Sequence, residues 1–171
     1  PFDPNLNGIK QITIYNQLFL DADAKQWDSS QKKFKNTDIL FVSDIRTGEP
    51  FKMSETEVEE RVAMDNQWQK NWYTFMNPRL TMLKYRLPWN DAKTSYIKGD
   101  IYTQVWAPIT STETRLIIDG PGQPDIKYDN RKYEEQLFYF NNVVRNSSFK
   151  KGTMPGVSLV CDDLPSIKCN G

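Results

Sequence analysis

Three ionisable residues lie at or beside the ends of predicted strands, where they could meet. Asp44 directly follows a continuous apolar run, Lys84 lies within a predicted strand, and Glu113 opens another. A lysine flanked by two carboxylates is charge-compensated and could orient a hydroxyl nucleophile. The same residue types have ordinary structural uses, because an aspartate after a strand often caps a turn and a lone strand lysine is usually an edge charge. Spacing alone leaves both interpretations open, and the structural one is the commoner.

The residue types that are missing exclude several classes of enzyme. The chain has no histidine and only two cysteines, Cys161 and Cys169. Ser-His-Asp hydrolysis and histidine-ligated zinc are therefore excluded. Two cysteines cannot form a four-thiolate zinc site, and a reducing compartment is the default expectation. Acid–base chemistry would fall to Lys, Asp, Glu or Tyr.

The composition indicates one domain, or a large part of one, without a dominant charge. The chain has 171 residues, with 22 Lys plus Arg and 22 Asp plus Glu, so its formal net charge is zero. This balance argues against a strongly basic protein that coats nucleic acid, but it leaves room for a local basic surface. The chain begins with Pro1 rather than Met, which predicts that it is a piece of a longer protein.

Hydrophobic patterns predict an early alternation of strands and helices. The predicted elements are a strand over 9–20, a helix over 21–35, a strand over 38–45, a helix over 54–77, strands over 80–87, 100–106 and 114–118, and a helix over 130–145. Such alternation is typical of an α/β fold with a mostly parallel sheet, and the later strands predict an antiparallel edge. Polar Asp65 and Gln69 interrupt the apolar stripe of the long helix.

Several short motifs occur in the order and spacing of a known family. They are Asp3-Pro4-Asn5-Leu6-Asn7-Gly8, Ile39-Leu40-Phe41-Val42-Ser43-Asp44-Ile45-Arg46, Met76-Asn77-Pro78, Leu83-Lys84-Tyr85-Arg86 with Pro88-Trp89, Thr112-Glu113-Thr114-Arg115-Leu116, Lys132-Tyr133-Glu134 and Asn141-Asn142-Val143-Val144-Arg145-Asn146. With these motifs the chain resembles the poxvirus-type cap-specific mRNA 2′-O-methyltransferases, an FtsJ-like class I methyltransferase family of large cytoplasmic DNA viruses. The resemblance implies that 1–146 is the C-terminal two-thirds of a Rossmann-like methyltransferase domain whose N-terminal part is missing. It leaves 147–171 as a loop or tail of unknown role.

The resemblance also implies a reaction and a cofactor. S-adenosyl-L-methionine would donate a methyl group to a ribose 2′-hydroxyl, with Lys84 as the base and Asp44 and Glu113 as its orienting carboxylates. A further catalytic lysine and the glycine-rich cofactor turn of the family would lie upstream of Pro1. Asp44 would also lie near the methionine or sulfonium end of the cofactor. The residues that would contact the adenine are Leu18, Phe19 and Leu20, for which ordinary core packing is an equal alternative.

A cap-binding surface is implied by the same resemblance. The cationic N7-methylguanine would stack on Trp89, while Asp91 and Glu134 would accept hydrogen bonds from the N1 and N2 edge of the base. Their ordinary alternatives are a hydrophobe that covers the sheet, a turn residue and a solvated helix face. The candidates for contacts with transcript phosphates are Arg46, Arg86 and Arg115, which as isolated residues would more often be salt-bridge partners.

Three functions therefore compete. The leading prediction is a cap ribose methyltransferase that acts on capped mRNA in the virion and host cytoplasm, with a poly(A) polymerase or capping-enzyme subunit as a possible partner. The alternative from another class is a non-catalytic RNA-binding subunit, such as a processivity factor of a poly(A) polymerase. A third is a methyltransferase of another RNA ribose. The Asp44, Lys84 and Glu113 set favours the enzyme.

Overall fold

The computed structural model describes residues 4–6, 8–34, 38–105, 107–108 and 110–145, and the backbone of 167–170. These residues form three α-helices, namely α1 (Asp21–Gln26), α2 (Glu55–Met76) and α3 (Asn130–Tyr139), the last continuing as a π-helix over Phe140–Val144. They also form the strands β1 (Leu40–Ser43), β2 (Leu80–Tyr85), β3 (Lys93–Ile97), β4 (Asp100–Gln104), β5 (Thr114–Asp119), β6 (Asp125–Asp129) and β7 (Ile167–Asn170). No helix among the described residues is long and apolar enough to cross a membrane.

The strands form a mixed sheet of five and a separate pair. The larger sheet has the order β1-β2-β5-β4-β7, in which β1 is parallel to β2 and β4 is parallel to β7. The pairs β2–β5, β4–β5 and β3–β6 are antiparallel. The mixed α/β class is confirmed, but the prediction of a mostly parallel sheet is wrong, and these strands do not show a Rossmann-like methyltransferase fold. A parallel pair needs a crossover such as α2 between β1 and β2, whereas the residues described between β4 and β5 form no helix, and these two strands are antiparallel.

Some predicted elements differ from those observed. Residues 9–20 form no strand, and Ile12 and Leu18 in that segment are exposed. Helix α1 ends at Gln26 rather than near 35, and β7 adds a strand within the predicted tail. The β3–β6 pair was not foreseen, because Lys93-Thr94-Ser95 carries no apolar alternation.

The main core lies on one face of the larger sheet. Leu83 and Tyr85 of β2 and Leu116 and Ile118 of β5 are fully buried there. Helix α2 contributes Trp72, Tyr73 and Met76 to the same cluster, and α3 contributes Tyr133 and Leu137. Burying each such side chain contributes about 1.5–3 kcal/mol, so this face holds the helices on the sheet.

A capping box and a left-handed residue set the ends of α2. The Ser54 hydroxyl accepts a hydrogen bond from the Glu57 amide, and the Glu57 carboxylate accepts one from the Ser54 amide at 2.8 Å. At the other end Asn77 has φ of 48°, and its amide donates to the Tyr73 carbonyl. Asparagine tolerates this conformation better than most residues, so the helix ends there.

Polar side chains of α2 donate hydrogen bonds to backbone carbonyls at the end of β2, beyond the point where β1 stops pairing with β2. The β1–β2 register ends at Ser43 and Leu83. Beyond this point the Gln69 amide donates to the Lys84 carbonyl, and the Asn66 amide donates to the Arg86 carbonyl, each at 2.9 Å. The polar interruption of the apolar stripe thus has a structural purpose, because a buried carbonyl without a donor is costly.

We predict that Asn66→Ala lowers the free energy of unfolding by about 1–3 kcal/mol, because the Arg86 carbonyl loses its donor. The neighbouring Gln67→Ala is the matched control, since Gln67 is exposed and should change stability by no more than about 0.5 kcal/mol. Urea unfolding followed by circular dichroism measures both. Equal stabilities of the two variants would contradict the assigned role of Asn66.

Candidate functional site

A cluster of five charged side chains lies at the end of β2. The Lys84 ammonium is 3.1 Å from Asp44 Oδ1 and 3.1 Å from Glu113 Oε2. Parallel β1 brings Asp44 to the carboxyl end of β2, while antiparallel β5 begins at that same end and so brings Glu113. The structure therefore brings together the three residues that sequence analysis singled out.

Two arginines complete this charged cluster. Arg115 Nη2 is 2.9 Å from Asp44 Oδ1, and Arg115 Nη1 is 2.5 Å from Glu113 Oε1. Arg46 is more distant, with its Nη2 3.9 Å from Glu113 Oε2. Lys84, Arg46 and Arg115 outnumber the two carboxylates, so the charged cluster carries one net positive charge.

Glu113 is the most strongly engaged carboxylate of the charged cluster. Gln104 Nε2 donates a hydrogen bond to its Oε1 at 2.6 Å. Burial alone would raise the pKa of Glu113, but the hydrogen bonds from Gln104 and Lys84 and the charge of Arg115 outweigh it. The pKa of Glu113 therefore lies below its ordinary value, and the carboxylate stays ionised into the acid range.

An aromatic pair lies beyond the end of β2. The Trp89 ring stacks on Tyr133 with a centroid distance of 6.0 Å and an interplanar angle of 26°. The Arg86 guanidinium lies 4.9 Å from the centroid of the Trp89 ring. Arg86 is only 4% exposed, and its Nη2 is 2.6 Å from Glu59 Oε1. This burial argues against a direct phosphate contact by Arg86 and makes it a support for Trp89.

Tyr133 ties this aromatic pair to the sheet. Its hydroxyl is 3.2 Å from the Thr114 hydroxyl, which donates to the Tyr85 carbonyl. Burial raises the pKa of Tyr133 to about 12, so the phenol stays neutral at physiological pH. Trp89 therefore stacks on a ring that a hydrogen bond to Thr114 of the sheet holds in place.

The two predicted cap-binding carboxylates are both exposed. Asp91 follows Trp89 by two residues, and its Oδ1 is 3.7 Å from Arg131 Nη1. Glu134 follows Tyr133 directly on α3. Both carboxylates are open to solvent on segments that flank the aromatic pair, and their cap-binding role stays a prediction.

A large cavity separates the N-terminal segment from β1. Its volume is about 1290 Å³, and its lining includes the four residues that were predicted to bind the cofactor, Leu18, Phe19, Leu20 and Asp44. Phe19 also packs edge-to-face on Trp72 at 5.1 Å. The prediction that these residues bind S-adenosyl-L-methionine is tested by none of these observations and stays a prediction.

Some residues of the site were missed by sequence analysis. Gln104 carried no recognisable signal, because its contact with Glu113 depends on the pairing of β4 with β5. Asn66 and Gln69 could have been suspected, since buried polar residues on an otherwise apolar helix face need partners. In the sequence, Gln69 is recognisable only as an interruption of the apolar stripe of α2.

The lowered pKa of Glu113 predicts a pH-dependent difference between wild type and Glu113→Gln. The carboxylate contributes stability that is present above its unfolded-state pKa and is lost as pH falls through the lower folded-state pKa. Glu113→Gln should therefore be less stable than wild type at pH 7, and the difference should shrink as the pH falls below about 4. Urea unfolding across this range measures the difference. A difference that does not change with pH would contradict this electrostatic account; the exposed Glu60→Gln is the control.

Comparison with known families corrects the functional prediction. A family model described as poly(A) polymerase regulatory subunit matches residues 1–151. This match overturns the predicted methyltransferase family, the predicted methyl-transfer function and the prediction of an enzyme. The motifs misled because each is short, and because a lysine between two carboxylates serves an ion-pair cluster as readily as it serves catalysis.

The same match supports the alternative that sequence analysis kept open. A regulatory subunit implies a poly(A) polymerase as its partner and suggests a non-catalytic role. The match spans most of the 171 residues, including every side chain of the charged cluster and the aromatic pair. The chain therefore belongs to the poly(A) polymerase regulatory subunit family.

Proposed function

We propose that this chain is a non-catalytic subunit that binds RNA and holds it for a poly(A) polymerase. The observation that carries the proposal is the charged cluster at the end of β2, with its one net positive charge. Affinity for RNA depends strongly on cationic side chains that neutralise phosphates. A chain of zero net charge can supply these contacts only through a local concentration of cations such as this one.

Arg46 and Arg115 are the side chains best placed to contact phosphates. They keep 28% and 15% of their side-chain surface exposed, and both lie against Glu113. The carboxylates fix the direction of the guanidinium groups, while the remaining donors of each arginine can bind a phosphate oxygen. Lys84 lies between the carboxylates and holds the arrangement together.

A capped transcript is the finer form of this proposal. Trp89 is partly exposed and lies on a fixed support, which suits stacking with a cationic methylated base. The exposed Asp91 and Glu134 would read the edge of the base. The Arg86 guanidinium already contacts the Trp89 ring, so the base would stack on the part of the ring that Arg86 leaves free.

The experiment is a polyadenylation assay with the cognate catalytic subunit, an RNA primer and the 171-residue chain. Adding the wild-type chain should increase the length of the poly(A) tail that the polymerase adds in one binding event. The double variant Arg46→Gln, Arg115→Gln should lose most of this increase. Arg79→Gln is the control, because its ion pair with Asp119 at 2.6 Å is exposed and lies at the other end of the sheet. Capped and uncapped primers are compared, with Trp89→Ala expected to abolish any preference for the cap.

Two results would contradict the proposal. The first is a wild-type chain that leaves tail length unchanged. The second is a double variant that stimulates the polymerase as strongly as Arg79→Gln does. Circular dichroism of each variant confirms that a lost effect does not reflect unfolding.

A further inference from the structure

The connection between β4 and β5 carries Glu113, the carboxylate that binds every cation of the charged cluster. Pairing of β4 with β5 ends at Thr103 and Thr114, so strand pairing does not hold Glu113 in place. Glu113 nevertheless lies 3.1, 2.5 and 3.9 Å from the nitrogens of the three cations. Because a carboxylate fixes the direction of the guanidinium groups that it binds, the geometry of the charged cluster depends on what holds this connection.

The end of α3 holds the connection at two places. Arg145, which follows the π-helix, donates from Nη1 at 3.0, 2.6 and 2.5 Å to three carbonyls at the exit of β4, those of Gln104, Val105 and Ala107. Asn141 donates from Nδ2 to the Ser111 carbonyl at 2.8 Å, close to the start of β5. The two side chains also bind each other, since Arg145 Nη2 donates to Asn141 Oδ1 at 3.0 Å.

The anchored residues of the connection are the ones that contact Glu113. Gln104 donates from its side chain to Glu113 Oε1 at 2.6 Å, and the Ser111 hydroxyl accepts a hydrogen bond from the Glu113 amide at 3.4 Å. Arg145 binds the carbonyl of Gln104, and Asn141 binds the carbonyl of Ser111. The end of α3 therefore acts on the carboxylate through the connection.

Arg145 is well suited to fixing a backbone segment. It is only 6% exposed, and its hydrogen-bond partners among the described residues are three backbone carbonyls and the Asn141 amide oxygen. A buried cation is costly unless its donors are bound, and the planar guanidinium presents several donors in one fixed arrangement that lysine cannot reproduce. The π-helical turn before Arg145 is also of a kind that is frequent at functional sites.

We propose that Asn141 and Arg145 are positioning residues: through the β4–β5 connection they hold the Glu113 carboxylate where it binds the arginines of the charged cluster. This proposal rests on the proposed RNA-binding function and adds two residues that act on it from a distance. Both are buried, at 7% and 6% exposure, and so serve the cluster without contacting RNA themselves.

The test follows the titration of the Glu113 carboxyl by NMR in the 171-residue chain. Burial raises the pKa of Glu113, and the hydrogen bonds that outweigh burial need the held geometry. Asn141→Ala and Arg145→Lys should therefore raise this pKa towards its ordinary value, although Arg145→Lys keeps the positive charge. Asn130→Ala is the matched control, because it removes a buried amide from the other end of α3 and should leave the pKa of Glu113 unchanged.

A double-variant cycle distinguishes positioning from a general loss of stability. If Arg145 acts through Gln104, Arg145→Lys combined with Gln104→Ala should raise the pKa of Glu113 by less than the sum of the two single effects. Additive effects would contradict the proposed route from α3 to the charged cluster.

Fluorescence anisotropy of a labelled single-stranded oligoribonucleotide separates this inference from the function on which it rests. Asn141→Ala should weaken binding roughly three- to tenfold, as expected for weakening a hydrogen bond, whereas Asn130→Ala should bind like wild type. If wild type binds RNA but the pKa of Glu113 is unchanged in Asn141→Ala and Arg145→Lys, the positioning role is wrong and the RNA-binding function stands. A raised pKa with wild-type affinity would equally overturn the positioning role. If wild type binds no RNA, both the role and the proposed function fail.

Discussion

The separation of β1 from β2 after Ser43 and Leu83 is the constraint on which the site depends. A strand that loses its neighbour exposes carbonyls, and each one buried without a donor would cost about 1–3 kcal/mol. Here the side-chain amides of Asn66 and Gln69, both on α2, donate hydrogen bonds to these carbonyls in place of β1, at 2.9 Å each. Because α2 supplies these donors, β1 need not continue beside β2, and the Asp44 carboxylate that follows β1 lies 3.1 Å from the Lys84 ammonium.

The electrostatic interactions within the charged cluster would be unfavourable without its two carboxylates. Lys84 and Arg115 are like charges directly opposite each other, an arrangement that destabilises a sheet. Glu113 binds both cations, and Asp44 does the same from the β1 side. A sheet selected for stability alone would seldom place two cations here, and local costs of this kind are expected at functional sites. The compensation is incomplete because Arg46 adds a third cation, and the remaining positive charge can bind RNA phosphates.

Local signals predicted most helices and strands of the fold but not the direction of its strands. The capping box at Ser54 and the apolar run before Asp44 are local, and α2 and β1 lie where those signals place them. Strand direction depends on partners distant in the chain, so the mostly antiparallel sheet could not be inferred from alternation. The meeting of Asp44, Lys84 and Glu113 was predictable from their positions at strand ends. The function of these three residues was not predictable, since the same residue types serve catalysis and ion pairing. Gln104 and Asn66 were not predictable as partners either, because their contacts depend on how the strands and α2 pack together.

The salt dependence of RNA binding tests the central claim most directly, namely that the charged cluster neutralises RNA phosphates. Each phosphate contact on a single strand contributes about 0.7 to the slope of log affinity against log salt concentration. We predict that Arg46→Gln, Arg115→Gln reduces the magnitude of the wild-type slope by about 1.4, for two lost contacts. A variant that binds single-stranded RNA with the wild-type slope would contradict the account, because the two arginines would then contact no phosphate.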